Sequence, residues 1–561
     1  MSRLPAAPFA APAVATYLAV FAAGLSHALS IAWPFDAVWP LGQSVWWLQL
    51  LALTVLVRFL NAATPGQAAF SGWLFATVMQ CGTWWWLFIS IHTYGGLAAP
   101  LAVLAVVGLA GFLALYYAAA SWIYSKWRKN SANTASAAVS YAWSAIVFAS
   151  FWLMAELGRV AIFTGFPWGE GGYAQLDGPF VNLAKLVGVH GLTFGAALLA
   201  AALAALASVG AKPRWLAAGL TLAGALAAAA LSFALHLDRD TVSVFTAPDP
   251  RPLRLNPAPF TVALLQGNIP QDEKFQGTKG VPDALKWYGQ QLMAVSATLV
   301  VTPETALPVL PEQLPDGYLD ALVDRFVTPP VGQVGTAALV GIPLGNSQVG
   351  YTNSVIGLKP LAIGAADPNT VGYRYDKHHL VPFGEFVHPL FKWFLAIVNM
   401  PLSDFNRGSV NQSTFDWQGQ RIAPNICYED LFGEELAARF TDPALAPTMF
   451  VNVSNIGWFG NTIAIDQHLN ISRLRAIEFE RAMVRATNTG ATVIIDHTGQ
   501  VTHSLMRHTR GVLVGSVEGR SGITPYAWWV SRLGLWPLWL LALAMISGAF
   551  YRNFRGRRAD F

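Results

Sequence analysis

From Phe59 to Ser125 the chain carries no Asp, Glu, Lys or Arg. A soluble fold cannot accommodate such a stretch, because charged side chains are what cover a globular surface. At about 20 apolar residues per crossing, it holds two or three membrane spans. The same poverty of charge extends around it: residues 1–237 contain 13 charged residues, and the remaining 324 contain 53. Over the whole chain 12% of residues are charged and 54% hydrophobic, against about 25% charged in an average soluble domain. The apolar content, the lack of a glycine period and the two cysteines exclude disorder, collagen-like repeats and a disulfide scaffold.

Seven apolar segments precede a more charged region, at about 12–33, 41–60, 68–91, 99–123, 139–158, 187–209 and 215–236, and one follows it at about 527–550. One such segment alone is compatible with a buried core helix; seven in succession are not. The expectation is therefore eight transmembrane helices. Arg58 ends the second segment; Lys126, Arg128 and Lys129 follow the fourth; Lys212 and Arg214 follow the sixth; Arg552, Arg555, Arg557 and Arg558 follow the eighth. With eight crossings these all fall on one side, which the positive-inside rule makes cytoplasmic. Arg3 agrees with a cytoplasmic N-terminus, and the first segment reads as a signal anchor, although its Ala-rich start leaves cleavage open. The expected division is a membrane domain over 1–237, an exported domain over 238–525, and a last span with a basic cytoplasmic tail over 526–561.

Within 238–525 short apolar runs alternate with helical patterns, behind a Pro-rich hinge at 247–259. Strands are expected at 260–269, 298–301, 337–344, 353–358, 421–426, 448–454, 493–496 and 511–516, with helices at 282–296 and 467–485. Such alternation points to an α/β domain with helices covering sheets.

Cys81 falls inside the third span and Cys427 in the exported domain, so they cannot pair. An unpaired cysteine in an oxidising compartment is either an inert buried thiol or a working one. Its neighbours argue for work. Glu304 in VVTPETALP, Lys377 in YRYDKHHLVPFGEF and Cys427 in APNICYEDLF stand at or just beyond apolar strands. Each alone is an ordinary charge or thiol. Together they supply thiol acyl chemistry: a thiolate nucleophile, a carboxylate to take its proton, and a cation for the oxyanion of a tetrahedral intermediate. His378 and His379 read as structural. A papain-like Cys/His arrangement stays open on composition but has no local signature here.

The order Glu, Lys, Cys, with PETALP, KHHLVPFGEF and ICYED, resembles the nitrilase superfamily. Its membrane frame is similar to one branch, the apolipoprotein N-acyltransferases of bacterial inner membranes. FTGFPWGEGGYAQLDGP, QGNIPQDEKF, SNIGWFG and RATNTG extend the likeness over nearly the whole chain. The resemblance implies a polytopic membrane domain of eight transmembrane helices plus an exported αββα sandwich. It implies Glu304 as general base, Cys427 as nucleophile, and Lys377 at the oxyanion with the backbone N–H of Tyr428. Glu385, Tyr428 and Glu429 match supporting positions. Phe275 stands where the family usually has Trp, and Ile456 where it usually has Asp. A phospholipid would be the acyl donor, and the α-amino group of a diacylglyceryl-cysteine on an apolipoprotein the acceptor. No cofactor, metal or nucleic acid is expected, and the protein is expected to act as a monomer.

A cysteine can store an acyl group as a thioester, and a neutral amine attacks a thioester to give a stable amide. With an α-amino pKa near ~8, enough neutral amine is present at neutral pH. Water competes, so the site should be screened by apolar surface. The segment 390–402 (LFKWFLAIVNMPL) is too short to span a bilayer and too apolar for a solvated loop. It reads either as a buried helix or as an arm dipping into the outer leaflet, with Phe391, Trp393 and Phe394 meeting acyl chains. Two other classes compete. A tethered amidase with water as acceptor would not need eight spans. A transporter would leave the triad idle and would carry ionisable residues inside its spans, where Asp36 and Glu156 lie only near predicted span ends.

Overall fold

The computed structural model describes residues 14–131, 137–206, 211–237, 260–328, 335–360, 372–386 and 405–559. The hinge at 247–259 and the segment 390–402, with Phe391, Trp393 and Phe394, lie outside the described residues.

Seven helices occupy the N-terminal half: α1 (Val14–Ile31), α2 (Trp46–Ala62), α3 (Pro65–Trp84), α4 (Ala99–Ser131), α5 (Ala137–Ala161), α6 (Ala184–Leu206) and α7 (Ala211–Leu237). The first six share a core that includes Leu53, Leu56, Phe75, Tyr117, Phe148, Trp152 and Ala200. Leu104, Leu115, Leu220, Leu226 and Phe233 instead point outward and exposed, the apolar surface that a lipid-facing helix presents. Five stretches are long and apolar enough to cross a membrane: Val14–Ile31, Ala99–Lys129, Ala142–Thr164, Val181–Leu206 and Ala218–Leu237. Helix α2 is apolar but has only 17 residues. Helix α3 is diluted by Ser71, Thr77, Gln80 and Thr83, all buried in the bundle. The protein therefore has several membrane-length helices before an α/β half.

The C-terminal apolar stretch is not the single straight span expected from its sequence. It is two helices, Pro525–Leu533 and one beginning at Trp536, bent by 89° and counting as a sixth candidate span only if taken together. Gly534 makes the corner at φ +54, a conformation that glycine adopts without strain. The first helix is held off axis by its neighbours: Trp529 Nε1 donates to Leu186 O at 2.9 Å and Arg532 Nη2 to Thr441 O at 2.7 Å.

The α/β half contains two six-stranded sheets. The first runs β12 (Gly511–Val517), β1 (Phe260–Gln266), β2 (Leu299–Val301), β3 (Ala337–Asn346), β4 (Gly350–Leu358), β5 (Tyr373–Asp376). The second runs β11 (Val501–Ser504), β10 (Val493–Ile495), β9 (Ala482–Thr487), β8 (Met449–Ser454), β7 (Gln420–Ile426), β6 (Phe415–Trp417). The β1–β2–β3 and β7–β8–β9 neighbours are parallel, with Val262 opposite Leu299 and Ile426 opposite Val453. Central parallel strands are covered on both faces, and β2, β8 and β9 are accordingly buried along their whole length. Val262, Leu264, Leu339, Val451, Val453 and Val484 fill the space between the sheets. Ala263, Leu265, Val340 and Ile342 pack outward against α8 (Gly280–Ala294) and α9 (Tyr318–Phe326). The outer face of the second sheet packs, through Phe450, Met483 and Ile495, into a cluster shared with Trp84, Trp86 and Trp168 of the N-terminal half.

One helix makes that junction, and it corrects the sequence reading. The expected helix at 467–485 is Ala464–Phe479, followed by Glu480 at φ +50 and then strand β9. The expectation from charge and periodicity is one helix running through Arg485. In fact Asp466, Gln467, His468, Asn470, Arg475 and Glu478 are buried, and their charges are met by partners. Glu478 accepts from Val189 N at 2.7 Å, where α6 is broken at Gly188 (φ +65), and pairs with Arg475 at 3.0 Å. Lys185 reaches Glu480 at 2.6 Å and Arg473 reaches Asp177 at 2.9 Å. Arg485 of β9 pairs with Asp430 at 3.0 Å.

The bundle is also less apolar inside than expected. Glu156 sits against His190 at 3.0 Å, and its second oxygen accepts from Gly171 N at 2.8 Å. Gln49 donates to Gly171 O at 2.6 Å and Gln175 to Gln49 at 2.6 Å. These groups hold the loop between α5 and α6 in place, and that loop borders the site.

Candidate active site

The strand ends bring the three expected residues together. Glu304 lies just beyond β2, Lys377 directly follows β5, and Cys427 directly follows β7. Two come from one sheet and the nucleophile candidate from the other, so the site straddles the edge of the sandwich. Strands β2 and β5 are not neighbours, and β4 closes the gap between them: Asn353 Nδ2 donates to Glu304 Oε1 at 2.7 Å and to Glu385 Oε1 at 2.9 Å. Lys377 Nζ donates to the same two oxygens, at 3.1 and 2.9 Å. Glu304 Oε2 accepts from the backbone N–H of Asn455 at 2.9 Å, and Glu385 Oε2 from Val381 N at 2.8 Å.

Burial alone would protonate Glu304, but the Lys377 and Lys274 ammoniums and the Asn353 hydrogen bond outweigh it and hold its carboxyl below the usual value. Burial likewise opposes the charge on Lys377, yet Glu304 and Glu385 hold it above an ordinary lysine. Burial and then the Glu304 charge push the Cys427 thiol well up, with Lys377 pulling the other way. The resting site is thus carboxylate, ammonium and thiol. Such a thiol loses its proton when a substrate carbonyl arrives to accept the developing charge.

Cys427 is half-buried and sits at φ +54, a left-handed conformation strained for a side chain other than glycine. Its carbonyl is held by Asn452 Nδ2 at 3.2 Å and His468 Nε2 at 3.1 Å. Arg485, which can only donate, faces His468 Nδ1 at 3.0 Å, so the imidazole hydrogen is on Nε2. Glu429 clamps the two strand ends. One oxygen accepts from His378 N (2.6 Å) and His379 N (3.2 Å), the other from Ile426 N (2.6 Å) and the Tyr375 hydroxyl (2.8 Å). His378 and His379 are engaged structurally, His378 on Gly408 O at 2.7 Å and His379 on Glu435 at 2.9 Å and stacked on Phe432.

Tyr428 is buried, and Phe166 of the α5–α6 loop stacks on it with centroids 6.3 Å apart. Trp168 of the same loop lies 5.5 Å from the His468 ring, and it shares the Gln467 side-chain oxygen with Trp86, at 2.8 and 3.0 Å. Aromatic side chains of the N-terminal half thus pack against Tyr428, the residue after Cys427, and against His468, which holds the Cys427 carbonyl. Phe275 is 42% exposed beside Lys274 rather than packed inside. Ile456 is buried in the apolar cluster that holds Trp86, Trp168 and Tyr428, so hydrocarbon fills the place of the missing carboxylate.

Several members of the site were not singled out from sequence. Gln271, Asn455 and Asn488 form a chain through Asn455 Nδ2 to Gln271 (2.8 Å) and Asn488 Nδ2 to Asn455 (3.3 Å). The signal for these was their position inside the phrases QGNIPQDEKF, SNIGWFG and RATNTG. Asn353 had none, because an asparagine in an alternating strand looks like any solvent-facing residue until β5 covers it.

Comparison with known proteins matches residues 37–202 to the family model described as apolipoprotein N-acyltransferase N-terminal domain, and residues 261–525 to that described as carbon-nitrogen hydrolase. A protein of Verminephrobacter eiseniae, called apolipoprotein N-acyltransferase, is 54% identical over 527 residues, covering 91% of this chain and 92% of its own. One of the same name from Ralstonia nicotianae is 43% identical, covering 86% and 85%. Another from Bordetella bronchiseptica is 40% identical, covering 96% of each chain. With relatives this similar along nearly its full length, and with both of its halves matched by family models, the chain belongs to the apolipoprotein N-acyltransferase family.

Proposed function

We propose that the protein moves an acyl chain from a membrane phospholipid, through a thioester on Cys427, to the N-terminal amine of the diacylglyceryl-cysteine of an apolipoprotein. The observation that carries this is the setting of Cys427: a thiol within the electrostatic reach of Glu304 and Lys377, whose neighbours Tyr428 and His468 are packed by Phe166 and Trp168 of the N-terminal half. Glu304 takes the thiol proton, and the thiolate attacks the ester carbonyl. Lys377 and the Tyr428 backbone N–H meet the resulting oxyanion. The lysophospholipid oxygen leaves with the proton from Glu304. In the second half the neutral amine attacks the thioester, Glu304 takes its proton and passes it to the departing Cys427 sulfur, and the amide remains. The apolar, aromatic packing around Tyr428 and His468 limits water beside the thioester, which disfavours a tethered amidase.

This reading has eight spans in a bacterial inner membrane, with 1–237 and 526–561 as the membrane parts and 238–525 on the periplasmic side as a nitrilase-like sandwich. The basic loops and tail lie on the cytoplasmic side. The segment carrying Phe391, Trp393 and Phe394 would meet acyl chains, and the protein would act as a monomer. The test is incubation with a phospholipid labelled in its acyl chain. A hydroxylamine-labile label on Cys427 is expected, absent in Cys427→Ala and discharged onto an added diacylated lipopeptide. Free fatty acid as the main product, with no labelled protein, would sink the proposal.

A further inference from the structure

One buried cation beside Glu304 has no part in the steps above. Lys274 lies in the turn behind β1 and is 2% exposed. Its ammonium donates to the backbone carbonyl of Glu304 at 2.9 Å and to Thr305 Oγ1 at 2.7 Å. Both acceptors are neutral, and burying a cation on neutral acceptors is costly. What offsets that cost is the Glu304 side chain a few bonds away.

The acceptors themselves are unusual. Thr305 has φ +46, a region β-branched residues avoid. From the other side β3 presses on the same turn: a Cβ at Gly341 would collide with Pro303 O and come within 2.9 Å of Thr305 N. The Pro303–Thr305 turn is thus gripped between a glycine of β3 and the Lys274 ammonium. Charge tells a second, separate story. Lys377 is shared by Glu304 and Glu385, which leaves that trio with one excess negative charge before Cys427 gives up its proton. Lys274 removes the excess.

We propose that Lys274 is a positioning residue of the acyl-transfer site, holding the strained turn that carries Glu304 and supplying the second positive charge against which Cys427 ionises. The inference deepens the acyl-transfer reading and rests on it. The titratable groups facing Lys274 are Glu304, beyond β2, and Cys427, beyond β7; burial lowers the lysine to about 8 while these two pull it upward. Its charge is present below that pH and lost above it, so acylation of Cys427 from phospholipid should fall on an alkaline limb centred at about pH 8.

The experiment measures the rate of Cys427 thioester formation from labelled phospholipid against pH. That half-reaction is free of the acceptor amine's own titration. In Lys274→Met the maximal rate should drop roughly 10- to 100-fold, the loss expected for a hydrogen bond to a charged group. The KM for phospholipid should hold and the alkaline limb should vanish. Lys274→Arg keeps a charge at all accessible pH; it should retain most of the rate and lose the limb, and it covers the case in which the methionine variant fails to fold. A wild-type rate in Lys274→Met, a defect confined to KM, or an unmoved limb in Lys274→Arg would overturn the proposal. If the wild-type protein forms no Cys427 adduct at all, the acyl-transfer reading falls instead. Lys274 is then judged by iodoacetamide labelling of Cys427 in a Cys81→Ser background at neutral pH, where equal rates with and without the lysine charge would refute its role.

Discussion

Glu304 has donors aimed at both carboxylate oxygens, from Asn353, Lys377 and the Asn455 backbone. Those donors hold it ionised in a place where burial alone would neutralise it. A carboxyl depressed in the folded state contributes stability above its unfolded pKa of about 4.3, lost as pH falls through the lower folded value. Lys377, raised in the folded state, contributes stability below an unfolded pKa of about 10.4, lost as pH rises through its higher folded value. Glu304→Gln should therefore unfold with a shallower loss of thermal midpoint on acidification below about pH 4.3 than the wild-type protein. It should also acylate Cys427 at least about 100-fold more slowly, as expected when a general base is removed. An unchanged acid slope would show that Glu304 is already neutral at rest. At this scale Glu304, Lys377 and Cys427 stood out in the sequence because chemistry restricts which residue types can do such work, while Glu385 and Glu429 were named only through the family resemblance. Asn353 and Lys274 did not stand out, since what distinguishes them is only the direction in which a neutral amide or a common lysine points.

Among the elements, helix Ala464–Phe479 departs most from its sequence pattern. Its polar residues meet the N-terminal half, where Val189 N donates to Glu478, the Tyr173 hydroxyl accepts from Arg475, and the Trp86 and Trp168 indoles donate to Gln467. The break in α6 at Gly188 frees Val189 N to reach Glu478, and a Cβ at Gly188 would run into the Tyr526 ring. Gly188→Val should therefore cost at least about 1–3 kcal/mol from the strained φ alone. A thermal midpoint several degrees lower, measured in detergent, is the expected result; an unchanged midpoint would mean the junction is not held there. The strands were easier to read. β1, β3, β7 and β8 fell within a few residues of expectation because parallel strands covered on both faces are continuous apolar runs. Strands β5, β6 and β11 escaped notice: they are short, and Val501–Ser504 is exposed along its length, so no apolar run marks it.

At the scale of the whole molecule, the N-terminal half is part of the site as well as its anchor. It packs Phe166 and Trp168 against Tyr428 and His468 beside Cys427, and its Asp177 and Lys185 pair with Arg473 and Glu480 at the junction. The exposed turn from Asn346 to Gly350, between β3 and β4, offers a place for a topology reporter. One inserted after Gln348 should read as periplasmic and one fused after Phe561 as cytoplasmic, as eight crossings require. Matching signals from the two fusions would overturn the eight-span arrangement.

The sequence by itself determined the division of the chain and the chemistry available to it. An uncharged stretch from Phe59 to Ser125 has no stable home in water, and a glutamate, lysine and cysteine in that order of strand ends leave few reactions to choose from. Only the tertiary structure decided which groups meet. The gap between β2 and β5 is closed by Asn353 on a strand between them, the ring stacked on Tyr428 arrives from a residue far earlier in the chain, and Glu478 accepts a backbone N–H from α6. The physical reason is one of range. Hydropathy and residue type act locally and survive in a linear pattern, whereas the direction of a hydrogen bond and the partner of a buried charge depend on elements that the fold alone brings together.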